Sequence, residues 1–139
     1  VSRRPLHDIT AAAAVASVVS GAPSTVHAVL TGRGVLDAAR AAGTLLPGRA
    51  DRPGLVAGGT VHVVVSAFWG VVLGRMLPRR RTAVWGAIAG LGIAAVSLPT
   101  FGRRRPAITA LPQIPQWLDN VAFGLIVGWL LSRSDAAAA

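Results

Sequence analysis

Uncharged apolar runs alternate with arginine-bearing breaks along the chain, and the runs are of membrane-crossing length. The first covers residues 9–32, the second 55–74 and the third 83–102. A helix needs roughly 20 apolar residues to cross a bilayer. The fourth run is the weakest. From Val121 to Leu131 it is too short, and counted from Gln116 it crosses only with snorkelling ends or local thinning. The pattern predicts an all-α, four-span transmembrane helical bundle forming a single integral membrane domain. Its spans fall at 9–31, 55–75, 83–101 and 116–131, with a frayed tail at 132–139.

The breaks shape this outline. Gly21 and Pro23 interrupt the first run and predict a kinked or broken helix. Its freed backbone groups near Ser20 are to be met by the Ser24 and Thr25 hydroxyls or by a neighbouring helix. Residues 35–46 predict a short interfacial helix with Val35, Leu36, Ala39, Ala42 and Leu46 on one side, and Asp37 and Arg40 away from it. The connection after the second span is short, which makes spans two and three antiparallel neighbours. Pro99 closes the third helix, and the prolines at 106, 112 and 115 forbid a continuous helix before the fourth. Gly86 and Gly90, four apart, have the spacing that lets two membrane helices approach closely.

Within the second run, Gly59, His62, Ser66, Trp69 with Gly70, and Leu73 with Gly74 follow one stripe by three- and four-residue steps. Val61, Val64, Val65, Phe68 and Val72 fall away from it. An ionisable side chain at membrane depth turns to helix partners or a cavity, so the His62 side is the packed side. Counted from the ends of their runs, His27 and His62 lie at matched depth below one membrane face, about 9–11 Å at 1.5 Å per residue. Asp119 and Asn120 begin the fourth span from that face. The expected polar pocket therefore comprises His27, His62, Ser66, Asp119 and Asn120.

Composition narrows the function. The 139 residues are 53% hydrophobic and 14% charged, with a mean hydropathy of +0.57, outside the range of an ordinary soluble domain. All 14 basic residues are arginines and all five acidic ones aspartates. The arginines cluster between apolar runs as interfacial anchors, with no interleaved aromatics, which argues against a nucleic-acid surface. They divide seven to each side of the bundle, so the positive-inside count is tied. The short, purely basic middle connection favours termini inside. With no cysteine, disulfides and thiolate metal sites are excluded. No phosphate-cradling glycine loop, Gly-x-Ser-x-Gly elbow or intramembrane glutamate appears.

Three readings of the polar residues stay open. They bond structurally to neighbouring helices, with Asp119 capping its own helix or pairing with Arg103, Arg104 or Arg105. They line a cavity for a proton, ion or small solute. Or His27 and His62, with Asp119, ligate a metal or haem. The first two need no cofactor.

His62 with Ser66, Leu77-Pro78, Trp85-Gly86 with Ala89-Gly90, Pro99 with Gly102, Leu111-Pro112, and Phe123-Gly124 with Val127 together resemble the YagU-type family of small bacterial inner-membrane proteins. The likeness covers residues 60–133. It implies a polytopic helical fold in the cytoplasmic membrane and no particular reaction. The expectation is a non-enzymatic pore or a solute- or proton-handling protein, or else an accessory subunit. It is surrounded by lipid and associates with itself or a partner membrane protein.

Overall fold

The computed structural model describes residues 3–138, and those residues contain helices and no strand. Helices α1 (Leu6–Val19) and α2 (Ala22–Thr31) form the first span, broken at Ser20 and Gly21. A short α3 (Asp37–Ala42) follows. Then come α4 (Leu55–Met76), α5 (Thr82–Ser97), a one-turn α6 (Pro106–Thr109) and α7 (Gln113–Ala137). Four segments are long and apolar enough to cross a membrane: Leu6–Thr31, Leu55–Met76, Thr82–Gly102 and Gln113–Ala137. Val18, Leu30, Val56 and Phe68 point outward from them, the arrangement of a multi-pass protein whose outer face is covered by lipid. Several hydroxyls on these helices turn back on their own carbonyls, as Thr31 does on His27 and Thr60 on Val56, which lowers the cost of placing them towards hydrocarbon.

Helix α7 is the hub. It packs against α5 on one side and against α1 and α2 on the other, and α1 in turn packs against α4. Consecutive α4 and α5 make little contact, contrary to the neighbour relation expected from their short connection. The reason lies in their small residues. On α4, Gly70 and Gly74 receive Ala13 and Ile9 of α1. On α5, Gly86 and Gly90 face α7, where Gly124 and Gly128 face back. In lipid, helices associate through van der Waals contact rather than a hydrophobic drive, so each span takes the partner it can approach most closely.

The seam between α5 and α7 is backbone against backbone. A methyl group at Gly86 would strike the Gly124 carbonyl, and one at Gly124 the Gly86 carbonyl. Gly90 likewise abuts the carbonyl of Asn120, and Gly128 that of Thr82. The four-residue spacing that marks Gly86 and Gly90 as a packing pair in the sequence also marks Gly124 and Gly128, their partners here.

Three boundaries move. Pro99 does not close the third helix: the chain continues through a π-helical turn, Leu98–Gly102. Proline lacks the N–H and crowds the carbonyl four residues back, and a widened turn accommodates both defects. Helix α7 starts at Gln113, with Pro115 in its first turn, where backbone N–H groups have no intrahelical acceptor anyway. At the other end, the tail from Ser132 is not frayed, because α7 runs on to Ala137. Asp135 holds it. The carboxylate of Asp135 accepts from Arg4 Nη2 at 2.8 Å and from Arg79 Nη1 at 2.6 Å. Arg4 Nη1 donates to the carbonyls of Gly74 at 3.2 Å and Leu77 at 2.8 Å, capping the C-terminal end of α4. Arg4, just before α1, and Asp135, near the end of α7, thus meet on one side of the bundle.

The interfacial helix also differs. Helix α3 packs over the first turn of α4, where Gly58 lies under the Ala39 carbonyl and Gly43 over that of Gly54. Its buried positions are Ala41, Gly43 and Thr44, whereas Val35 and Leu36 are exposed.

Candidate functional site

A break in a membrane helix leaves carbonyls without donors on one side and N–H groups without acceptors on the other. The two half-helix dipoles also face each other there, negative at the end of α1 and positive at the start of α2. Here both defects are met by side chains from other spans. From α4, His62 Nε2 donates to the Ser17 carbonyl, in the last turn of α1, at 2.7 Å. From α7, the Asp119 carboxylate accepts the backbone N–H of Ser24, in the first turn of α2, at 3.0 Å, and accepts the Ser24 hydroxyl as well. Gln116 Nε2 donates to the Ser24 hydroxyl at 3.0 Å. The group able to carry positive charge lies at the negative end and the carboxylate at the positive end. The Thr25 hydroxyl bonds back to the Gly21 carbonyl, which also accepts the Thr25 N–H.

Because α2 bends away from α4 at the break, a cavity of about 430 Å³ opens between them. His62, Ser66, Asp119 and Asn120 line it together with Ser20, Ser24, Thr25 and Gln116. Helix α3 borders it through Ala38, Ala39 and Ala42, and Trp69, Ile93 and Phe123 form its apolar floor. Beyond that floor, Ile9, Ala12, Ala16, Leu73, Val127 and Leu131 pack into a buried apolar core. This core lies between the cavity and the side of the bundle where Arg4 meets Asp135.

Several atoms on its wall have hydrogen-bonding capacity to spare. Ser66 is buried, and its hydroxyl has no partner among the described residues. Asn120 donates its amide to the Gln116 carbonyl at 2.9 Å, which leaves Oδ1 without a donor. With Nε2 engaged by Ser17, neutral His62 keeps Nδ1 as an open acceptor. The open groups are mainly acceptors, so the wall suits a species that donates.

Four of the five residues expected to share a pocket line this one cavity. His27 does not. It lines a smaller, separate pocket with Arg33, Gly34 and Asp37, which meets the main cavity only at shared wall residues such as Ser24 and Gln116. The matched-depth argument fails because it measures from the ends of the apolar runs. The two runs do not end at one level: His62 lies seven residues from Leu55, yet its partner Ser17 lies fifteen from Gly32. His62 is level with Ser17, and His27 lies ten residues further along the first span, about 15 Å on an unbroken helix. The pairing of both imidazoles on a metal or haem loses its ligand geometry with that separation. Among the described residues, no group of three histidine, aspartate or similar side chains converges on a metal-sized site. Asp119 neither caps its own helix nor pairs with Arg103, Arg104 or Arg105; it caps α2. The residues missed from sequence are Ser24 and Gln116 as members of the site. The signal for Ser24 was its place two residues after the proline break, in the first turn of a restarted helix.

Scans against family models, curated proteins and solved structures returned no match to this chain.

Proposed function

We propose that the protein is a non-enzymatic protein of the cytoplasmic membrane that binds a proton or a small hydrogen-bond-donating solute at the break in its first span. The supporting observation is that His62 and Asp119, from two different helices, hold the two broken ends across a cavity with unpartnered acceptors on its wall. Broken helices with charged groups at their half-helix ends are a recurrent way to bind solutes at membrane depth. The apolar plug beyond Phe123 makes the site a vestibule rather than an open pore, so passage across the membrane requires the core around Val127 and Leu73 to part.

The test is pH-dependent proton flux into proteoliposomes, measured over about pH 5 to 8, where imidazole as a class changes charge. Wild type is expected to conduct above empty liposomes, and His62→Ala and Asp119→Asn to lose the pH dependence while remaining folded by thermal melting. Flux equal to that of empty liposomes, or unchanged in both variants, would remove proton handling. Binding of small ammonium-type cations, read as thermal protection, is the corresponding solute test.

A second reading, an accessory subunit docked on another membrane protein or on a second copy, is favoured by Gly92. It is an exposed helical glycine on the outer face of α5 with nothing against it, the kind of small-residue surface that admits another helix. Particle mass in mild detergent separates it from a monomeric solute handler.

A further inference from the structure

A second concave site lies at the opposite end of the bundle, where Arg4 meets Asp135. It is a groove of about 260 Å³ lined by Arg3, Arg4, Gly74, Arg75, Leu77 and Arg79, among others. Four guanidiniums converge there against the single carboxylate of Asp135, which Arg4 and Arg79 both engage. Asp8, one turn along α1, does not line the groove and lies 3.3 Å from the His7 ring. The carbonyls at the end of α4 that would repel an anion, those of Gly74 and Leu77, are covered by Arg4. Arg3 and Arg75 form no ion pair among the described residues and are exposed.

The groove also has the right level. It sits where α4 leaves the apolar span, and the neighbouring Leu6 and Met76 are exposed large apolar side chains. A basic rim above an apolar flank fits a phosphate carried on an acyl chain better than a phosphate in free solution. Guanidinium groups meet phosphate oxygens with paired N–H donors, and basic pockets between spans at this level suit anionic headgroups. We propose that this groove binds a phosphate-bearing anion, presented as the headgroup of an anionic phospholipid, with Arg3 and Arg75 as its contacts and Arg4 as the brace that holds the groove open.

The experiment uses the full chain in mild detergent, with phosphatidylglycerol, phosphatidylcholine or inorganic phosphate added separately. Bound lipid is read by native mass spectrometry and stability by thermal melting. Wild type should retain phosphatidylglycerol in preference to phosphatidylcholine and melt higher with it, and inorganic phosphate should give neither effect. The Arg3→Gln/Arg75→Gln protein should bind phosphatidylglycerol about tenfold or more weakly. Arg103→Gln/Arg104→Gln, at the other end of the bundle, should bind it as wild type does. Equal retention of the two lipids by wild type, or equal loss in both double variants, overturns the site. Protection by inorganic phosphate equal to that by phosphatidylglycerol, lost in Arg3→Gln/Arg75→Gln, overturns the lipid as its source.

Discussion

An Arg4→Met protein is expected to lose about 3–5 kcal/mol of stability, the cost of removing one partner from a buried ion pair. Arg4 is 7% exposed. Its guanidinium joins three segments, bonding to Asp135 of α7 and to two carbonyls at the end of α4. Without it, the Gly74 and Leu77 carbonyls lose their donor, and Asp135 keeps only its bond to Arg79 among those described. Asp135→Asn should cost a similar amount, because it leaves Arg4 buried with its charge uncompensated. Removal of residues 132–139 should do so too, although the same segment reads as a frayed tail in the sequence. Thermal unfolding in mild detergent measures all three. Melting of the truncated protein at the wild-type temperature would mean that the cluster adds nothing to the fold.

The seam between α5 and α7 should be almost as sensitive. Gly86→Leu and Gly124→Leu each place a side chain where the facing backbone already sits. Overpacking of this kind costs about 1–3 kcal/mol per site, and here the obstacle is a carbonyl that cannot rotate away. The two glycines face each other, so the double variant should cost less than the sum, since the first substitution already separates the helices. Gly92→Leu, on the outer face of α5 with nothing within 4 Å, is the control. It should be neutral or slightly stabilising, because leucine is the better helix former. Equal effects at Gly86 and Gly92 in the melting temperature would contradict the close approach.

The parts of this architecture legible in the sequence are those set by local pattern. Uncharged runs between arginines mark four spans, and Gly21 with Pro23 marks the break. The stripe marks the packed side of α4 from Ser66 to Gly74, but not at its start, where Gly59 and His62 are exposed and Gly58 and Val61 are buried instead. What depends on distant partners was not legible. Arg4 and Asp135 are 131 residues apart, and nothing near Asp135 signals that its turn is held. The order of the helices was misjudged from the short link after α4. The decisive signal was the matched glycine spacing at 86 and 90 and at 124 and 128, which only becomes a pair once both helices are considered together. Depth counted from the ends of the runs puts His27 beside His62, but His62 is level with Ser17. Asp119 lines the expected pocket, yet its partner is neither its own helix nor an arginine of 103–105 but a backbone N–H at the break, 95 residues earlier.

The central claim is that the break in the first span opens into a polar vestibule separated from the side of Arg79 by an apolar core, which we expect to be reached from the side of Arg103. The protein contains no cysteine, so single thiols can report on it directly. Ser66→Cys lies on the cavity wall and Val127→Cys in the apolar plug. In oriented proteoliposomes, a small membrane-impermeant thiol reagent should label Ser66→Cys from the Arg103 side and not from the Arg79 side, and should leave Val127→Cys unlabelled from both. Failure to label Ser66→Cys from either side, or equal labelling of both positions, would contradict the vestibule.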